Sequence, residues 1–249
     1  MKNILGKGGA FYFDNRYTSV HNLCMNVAFD AHCHFYKSDL PQGVGGVITN
    51  AAQYTDWAKV INVADSCGGI YGAIGIHPWY VQDIPDNWGQ LLESHLINNP
   101  DLMVGEIGLD KNRPDTEKQV AIFIQQMHIA NKTKRGVHVH CVGMWPIMRQ
   151  ILAEHDFSSV PFILFHRYSG ASGDIAWLIK KCNAYFSYRA IDSTGKIRAI
   201  PVDRLLVESD SSSPEQCTEW TVGMAQACGV PPDTFINNAK RMIKNGQII

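Results

Sequence analysis

Residues 29–35 read FDAHCHF, and three titratable side chains occupy alternate positions in this segment: Asp30, His32 and His34. In a β-strand, alternate residues point to the same face, so these three side chains would share one side. Burying three such groups is costly unless they are paired or bound to a metal ion. Taken alone, the segment leaves open the alternative of a strand with one solvent-exposed face.

Histidines and carboxylates recur late in other apolar segments. They are His77, Glu106, Asp110, His138, His140, His166, Glu208 and Asp210. If these segments are strands of a parallel barrel, their C-terminal ends form one rim, where active sites of such barrels lie. Imidazole and carboxylate together suit divalent ions such as Mg, Mn or Zn. Even four of these histidines with two of the carboxylates would provide more ligands than one tetrahedral site needs. This indicates two adjacent ions with Glu106 bridging them.

The elements that must position these residues are short apolar runs alternating with longer amphipathic stretches. This alternation predicts an α/β fold, a (β/α)8 TIM barrel. The predicted strands are 27–35, 45–51, 70–78, 102–110, 136–142, 162–170, 184–189 and 204–211. Apolar residues at helical spacing predict helices at 55–67, 87–99, 115–134, 144–155 and 171–182, with room for only a short helix at 192–200. We expect a single domain at 27–249, preceded by an N-terminal extension at 1–26.

Composition narrows the class of protein. The chain has 249 residues, 45% hydrophobic and 18% charged, with a net charge of -1. A protein that coats nucleic acid is normally more basic, so any nucleic acid here is expected to be a transient substrate. The seven cysteines include no CxxC pair, which favours a reducing compartment. Without a signal-like start or a long apolar run, we expect a cytoplasmic monomer with no membrane span.

Six motifs together resemble those of the TatD-type metal-dependent hydrolases, a family of the amidohydrolase-like barrels. The motifs are DAHCHF, IGIHP, GEIGLD, HC at 140–141, HRYSG and LLVESD. The resemblance implies metal ligands at His32, His34, Glu106, His140, His166 and Asp210. It also places His77 and Asp110 at positions that line the family's pocket, where we expect both to contact substrate. The family is associated with Mg- or Mn-dependent deoxyribonuclease activity, often exonucleolytic from the 3′ end.

The resemblance implies an enzyme, a metal-dependent phosphodiesterase that acts on DNA or a small phosphoester. Asp210 would orient or deprotonate the attacking water, and Glu106 would bridge the two ions. We expect His77 and Arg167 to contact phosphate, Arg167 through its bidentate fork. Glu208, two residues before Asp210, is expected to support that residue or to help position substrate.

Substrate contacts are the part that the sequence leaves most open. Val142 stands where an arginine usually follows the fifth-strand His-Cys pair, and the eighth-strand motif continues as ESDSSSP without its usual aromatic residue. Trp79 and Tyr80 follow His77 at the expected rim, where bases could stack or the loop could simply pack. Two alternatives therefore stay open. One is a hydrolase of the same metal architecture that cleaves a C–N or C–O bond, and the other is a metal-binding scaffold with little turnover.

Overall fold

The computed structural model describes residues 28–189 and 194–246, in which eight parallel strands form a nearly closed barrel. Each strand pairs with the next in chain order. The strands are β1 (Ala28–Cys33), β2 (Val44–Asn50), β3 (Ile70–Ile74), β4 (Met103–Asp110), β5 (Val137–Val142), β6 (Ile163–His166), β7 (Ala184–Tyr188) and β8 (Leu205–Val207). The predicted (β/α)8 barrel is confirmed. The expected extension at residues 1–26 lies outside the described residues.

Helices connect the strands and form the outer layer. They are α1 (Trp57–Ser66), α2 (Trp88–Asn98), α3 (Thr116–Thr133), α4 (Trp145–Glu154), α5 (Ile175–Cys182), α6 (Thr194–Ile197), α7 (Cys217–Cys228) and α8 (Asp233–Gly246). The bounds of α3 match the prediction of 115–134 closely, because its apolar residues keep helical spacing throughout. The short α6 agrees with the prediction of only a short helix at 192–200.

Within the described ranges, no helix is both long and apolar enough to cross a membrane.

The strands are covered on both faces, as parallel strands between a barrel interior and a helical layer must be. All residues of β1 and of β4 are buried. From outside, α3 packs Phe123 and Met127 into the main apolar cluster. Polar side chains on the inner face are therefore shielded from bulk water until they reach the rim.

The barrel closes between β1 and the segment that follows β8. The Asp210 N–H donates to the His32 carbonyl oxygen at 2.9 Å, and the His34 N–H donates to the Ser211 carbonyl oxygen at 2.9 Å. The Ser209 N–H adds a hydrogen bond to Asp30 Oδ1 at 2.9 Å. The first and last strands are thus joined at the same end of the barrel as the polar residues.

Several strands are shorter than predicted, β6 among them, and at β3 and β8 this changes the backbone on which the polar residues lie. β3 ends at Ile74, and His77 lies beyond it, just before Pro78 begins a 3-10 turn. Proline has no N–H with which to continue a strand ladder. β8 ends at Val207, and Asp210 beyond it has a φ of 48°, which extended backbone does not allow. The predicted bounds were therefore wrong here, although both residues stay at the C-terminal rim.

Candidate metal centre

Glu106 lies at the centre of the polar cup, and its carboxylate faces imidazole rings from five histidines. The residue itself is buried. Ring nitrogens lie between 2.9 and 3.4 Å from its carboxylate oxygens, and they belong to His32, His34, His77, His140 and His166. The ends of several strands therefore bring their polar residues to one carboxylate, as their positions in the sequence predicted.

The two carboxylate oxygens of Glu106 divide four of these histidines into two pairs. Oε2 lies 3.4 Å from His32 Nε2 and 3.3 Å from His34 Nε2. Oε1 lies 3.1 Å from His140 Nδ1 and 2.9 Å from His166 Nε2. His77 Nε2 also lies 3.3 Å from Oε1. Because the two oxygens face different sets of nitrogens, the carboxylate has the arrangement that bridging two cations requires.

The outer nitrogens of two rings face acceptor oxygens, the first within a hydrogen bond and the second at ion-pair distance. His34 Nδ1 lies 2.9 Å from the Asn50 carbonyl oxygen, and the ring must donate here because a carbonyl only accepts. His166 Nδ1 lies 3.5 Å from Glu208 Oε1. Metal-binding histidines usually face a carbonyl or carboxylate with their outer N–H. In their neutral forms, both rings would present the lone pair of Nε2 to the cup.

Asp110 holds His140 on the other side of the cup. Asp110 Oδ2 lies 3.3 Å from His140 Nε2 and accepts a hydrogen bond from Trp79 Nε1 at 2.7 Å. Gly108 permits the close approach of β4 and β5, since its φ is 152° and a Cβ there would lie 1.8 Å from the His140 carbonyl oxygen. Glycine is the residue that accepts both conditions, which explains its place in the GEIGLD motif.

Asp210 reaches the cup from the segment after β8. Its Oδ1 lies 3.7 Å from His34 Nε2, and its Oδ2 lies 3.4 Å from Arg167 Nη1. The Asp210 side chain is 21% exposed, whereas that of Glu106 is 4% exposed. Asp210 is therefore the carboxylate that contacts the cluster and solvent together.

A deeper layer supports His32. His138 Nδ1 lies 3.3 Å from His32 Nδ1, and both residues are fully buried. Asp30 Oδ1 accepts the His32 N–H at 3.2 Å, in addition to the hydrogen bond from Ser209. Burial raises the pKa of Asp30 to about 7, although the hydrogen bonds from Ser209 oppose it. His32 is thus held through both its ring and its backbone.

The carboxylates and imidazoles shift one another's pKa values in the metal-free protein. Burial alone would raise the pKa of Glu106, but the surrounding imidazoles, that of His77 foremost, hold it well below its ordinary value. Burial alone would lower the pKa of His34, but the neighbouring carboxylates of Asp210 and Glu106 raise it to about 10. Nearby carboxylates likewise raise the pKa of His166 against burial. The cluster therefore attracts positive charge, whether as protons or as metal ions.

The residues present fit divalent ions. Three groups bring their ligand atoms within 4.8 Å of one another: His32, His34 and Asp210; His32, Glu106 and His166; His77, Glu106 and His140. Imidazole and carboxylate are suitable donors for Mn and Zn, and carboxylate for Mg. Among the described residues, His32 Nε2 is buried without a hydrogen-bond partner. A buried polar atom in that state calls for an ion or other partner.

Two of the residues predicted to contact substrate lie behind the histidines instead. Glu208 is fully buried beside His166, and the Ser187 hydroxyl donates to its Oε2. Asp110 is 2% exposed behind His140. The expected substrate contacts of these two carboxylates stay predictions. Both are placed to orient a histidine.

His77 and Arg167 are placed nearer to an incoming substrate. His77 Nδ1 accepts the Trp79 N–H at 3.2 Å. The neutral ring therefore carries its proton on Nε2, which lies 3.3 Å from Glu106 Oε1. The Arg167 side chain is 45% exposed beside Asp210. The expected phosphate contacts of both residues stay predictions.

Four supporting residues were not anticipated from the sequence. Asn50 acts through its main-chain carbonyl, which no side-chain pattern indicates. Ser187 reaches Glu208 only because β7 and β8 lie side by side in register. Gln119 and Gln126 lie on the buried face of α3 and bind the backbone of loops that carry site residues. Buried amides among the apolar residues of that helix were the one available signal.

Comparison with known proteins places the chain among metal-dependent hydrolases. A family model described as TatD related DNase matches residues 29–222. The uncharacterized metal-dependent hydrolase YjjV of Escherichia coli (strain K12) is 26% identical over 204 residues, which cover 73% of this chain and 78% of that protein.

Solved structures show the shared fold. The crystal structure of YjjV, a TatD homolog, has a TM-score of 0.77 at 21% identity and covers 90% of this chain and 99% of that chain. A TatD family hydrolase from Entamoeba histolytica has a TM-score of 0.72 at 14% identity and covers 89% of this chain and 98% of that chain. Both likenesses extend over nearly the entire barrel.

Proposed function

This chain belongs to the TatD-related DNase family, and on that basis we propose that it hydrolyses phosphodiester bonds of DNA with two divalent metal ions. It is a metal-dependent hydrolase of that family, which nuclease activity fits. The proposal adds the number of ions, the residues that hold them and the 3′ ends of single strands as the position of cleavage.

The observation that supports two ions is the division of the imidazoles between the two carboxylate oxygens of Glu106. One ion would be held by His32, His34 and Asp210, a second by His140 and His166, with Glu106 shared between them. A single tetrahedral ion would leave several of these donors without a role. When bound, such ions supply Lewis-acid stabilisation of phosphoryl oxygens and lower the pKa of water towards neutrality.

Asp210 is the proposed base for the attacking water. Burial alone would raise its pKa, but the neighbouring His34 ring foremost, with His166 and His32, holds that pKa below its ordinary value, so the carboxylate is ionised at neutral pH. Its partial exposure lets it accept a proton from a water molecule at the cup. Arg167, on the other side of this carboxylate, can bind a phosphate of the substrate with its planar fork.

His77 is the proposed neutral donor to the phosphate. Burial lowers its pKa, so the ring is uncharged at neutral pH. Because Nδ1 already accepts the Trp79 N–H, the Nε2 proton points into the cup. A phosphoryl oxygen placed there would receive a hydrogen bond without a change in the protonation of the ring.

Nucleotide release from 3′-labelled single-stranded DNA, with Mg or Mn added, tests the proposal. We expect Glu106→Ala to lower turnover about a hundredfold or more and to bind fewer ions, because the shared carboxylate is lost. Plasma mass spectrometry measures the ion content of each variant. Glu154→Ala is the matched control, since it removes an exposed carboxylate on α4 that pairs with Gln150. It should keep both activity and ions.

Other outcomes discriminate between the alternatives. Full activity and full ion content in Glu106→Ala would show that the bridging role is wrong. If wild type carries its ions but releases no nucleotide, the nuclease proposal fails. Activity on amides or lactones that is indifferent to added phosphate would then favour a hydrolase of C–N or C–O bonds. Ion binding without turnover on any of these substrates would favour a scaffold.

A further inference from the structure

Trp79 presents an exposed indole with a cation on its ring. The residue lies in the 3-10 turn after β3 and is 47% exposed. The guanidinium carbon of Arg113 lies 4.1 Å from the ring centroid. Proteins that bind single-stranded nucleic acid combine aromatic rings, on which bases stack, with cations that pair with phosphates. The Trp79–Arg113 pair offers both groups at one place.

The indole is fixed directly beside the metal centre. Its Nε1 donates to Asp110 Oδ2 at 2.7 Å, and the same oxygen lies 3.3 Å from His140 Nε2. The Trp79 ring centroid lies 5.2 Å from that of His77 and 6.5 Å from that of His140. A base stacked on Trp79 would therefore belong to a nucleotide whose phosphate lies at or next to the cup.

Arg113 is anchored by its backbone, while its charged group stays available. Its N–H donates to the Asp110 carbonyl oxygen at 3.2 Å, and its own carbonyl accepts from Gln119 Nε2 at 3.2 Å. In the described part of the chain, its guanidinium makes no ion pair with a carboxylate. On the neighbouring strand β5, the residue in register with Asp110 is Val142, which is apolar and carries no charge. Arg113 thus supplies positive charge to this side of the rim.

We propose that Trp79 and Arg113 form a nucleotide subsite, in which the indole stacks with the base beside the scissile bond and the guanidinium binds the neighbouring phosphate. This rests on the proposed nuclease function. Stacking of a base on an indole is stronger than an exposed cation–π contact. An arriving base can therefore displace the guanidinium from the ring, which releases that group to pair with phosphate. The subsite selects oligonucleotides over phosphodiesters that carry no base.

The test compares three substrates in the metal-loaded protein: a single-stranded oligonucleotide, the same strand with abasic units at its last two positions, and methyl p-nitrophenyl phosphate, which has no base. The variants are Trp79→Ala, Trp79→Phe and Arg113→Ala. Trp177→Ala is the matched control, because Trp177 carries Arg149 at 4.2 Å from its ring in the helical layer, away from the cup.

Trp79→Ala and Trp79→Phe both remove the hydrogen bond to Asp110, so the loss they share on the base-free diester measures that support. We expect Trp79→Ala to lower kcat/KM on the oligonucleotide about tenfold more than on the base-free diester. In wild type, removing the last two bases should lower kcat/KM about tenfold as well, and Trp79→Ala should affect the abasic strand no more than it affects the base-free diester. Trp79→Phe keeps a ring and should retain most of the preference. Arg113→Ala should weaken oligonucleotide hydrolysis and reduce its salt dependence, while Trp177→Ala changes neither.

Equal losses on all three substrates in Trp79→Ala would overturn the proposal, because the residue would then act only by supporting Asp110. Unchanged kinetics would overturn it as well.

A binding measurement separates the subsite from the nuclease function. Fluorescence anisotropy of the labelled oligonucleotide reports its binding to the Asp210→Asn variant and to the double variant that also carries Trp79→Ala. Binding that depends on Trp79 in a protein whose wild type cleaves no DNA would retain the subsite and refute the nuclease. Binding that is absent or independent of Trp79 would refute the subsite.

Discussion

The proposed ligand histidines have partners that do not face the cup, and His166 is the clearest case. Glu208 lies 3.5 Å from the outer nitrogen of that ring, is fully buried and accepts a hydrogen bond from Ser187. A carboxylate in this place fixes the ring and makes its inner nitrogen more basic. Metal affinity is therefore set partly by residues that would not touch an ion.

Glu208→Gln keeps the size of this side chain and removes its charge. We expect affinity for Mn to fall about 10- to 100-fold, because the His166 ring loses its charged partner. The melting temperature should change little, since an uncharged amide is easier to bury than a carboxylate. Titration calorimetry of the metal-free protein measures the affinity, with Glu154→Gln as the exposed control. Equal affinity in both variants would assign Glu208 a packing role only.

Metal binding should release protons, because two proposed ligands hold them in the metal-free protein. The pKa of His34 is about 10 and that of His166 is well above its ordinary value, so both rings are charged at neutral pH. Each ring must lose a proton before it can bind a metal. We expect Mn affinity to rise with pH through neutrality, about tenfold per pH unit for each proton displaced. Calorimetry in buffers of different ionisation enthalpy counts these protons. Affinity that does not change with pH would show that neutral rings already face the site.

One helix holds two of the loops that carry site residues. Gln126 on α3 accepts the Ile76 N–H at 2.7 Å and donates to the Ile76 carbonyl oxygen at 3.1 Å. Two turns earlier, Gln119 accepts the Asp110 N–H at 2.9 Å. Both amides are fully buried. The loop that places His77 and the end of β4 that carries Asp110 are therefore fixed relative to each other through α3.

Gln126→Leu removes both hydrogen bonds to Ile76 and leaves its backbone groups unpaired. We expect a loss of about 1–3 kcal/mol in the free energy of unfolding, measured by urea denaturation. Turnover should also fall, because His77 follows directly. Gln125→Leu, an exposed neighbour on the same helix, should cost less than about 0.5 kcal/mol. If the two variants cost the same, the backbone of the loop does not depend on the amide.

The sequence allowed the elements to be predicted better than their contacts. Periodic burial depends on near neighbours along the chain, so the eight strands and the bounds of α3 could be found from it. The placement of Glu208 behind His166 could not be predicted from this periodicity. Alternation holds only within a strand, and β8 ends at Val207, so Glu208 lies buried behind His166 while Asp210 lies in the cup. Likewise, the carbonyl of Asn50 meets His34 through register between strands, which local patterns do not specify.

The proposed ligands come from β4, β5 and β6 and from the chain around the closure between β1 and the end of β8. Ions held by these residues would cross-link strands that are connected along the chain by long helical segments. An ion that binds the native state alone stabilises it in proportion to its affinity and concentration. The stability of the barrel and the occupancy of its metal centre are thus linked.

Chelation should lower the melting temperature of the complete protein. Ions present at about a hundred times their dissociation constant contribute about 2.7 kcal/mol, which for a chain of this size corresponds to about 5–10 °C. Calorimetric scans with Mn and with excess EDTA measure the difference. Glu106→Ala should show a smaller difference than wild type. An equal difference would place the stabilising ions elsewhere on the protein.

The closure of the barrel also affects the order in which contacts form during folding. Ser209 and Asp30, which meet there, are 179 residues apart in the chain. Such distant contacts form late, because a long loop must close before they are made. His32 and Asp210 lie on opposite sides of this closure and are joined by a backbone hydrogen bond. A chain still on the ribosome could complete most of its strands and yet lack the full set of proposed ligands. High-affinity ion binding would therefore distinguish finished, folded molecules from unfinished ones.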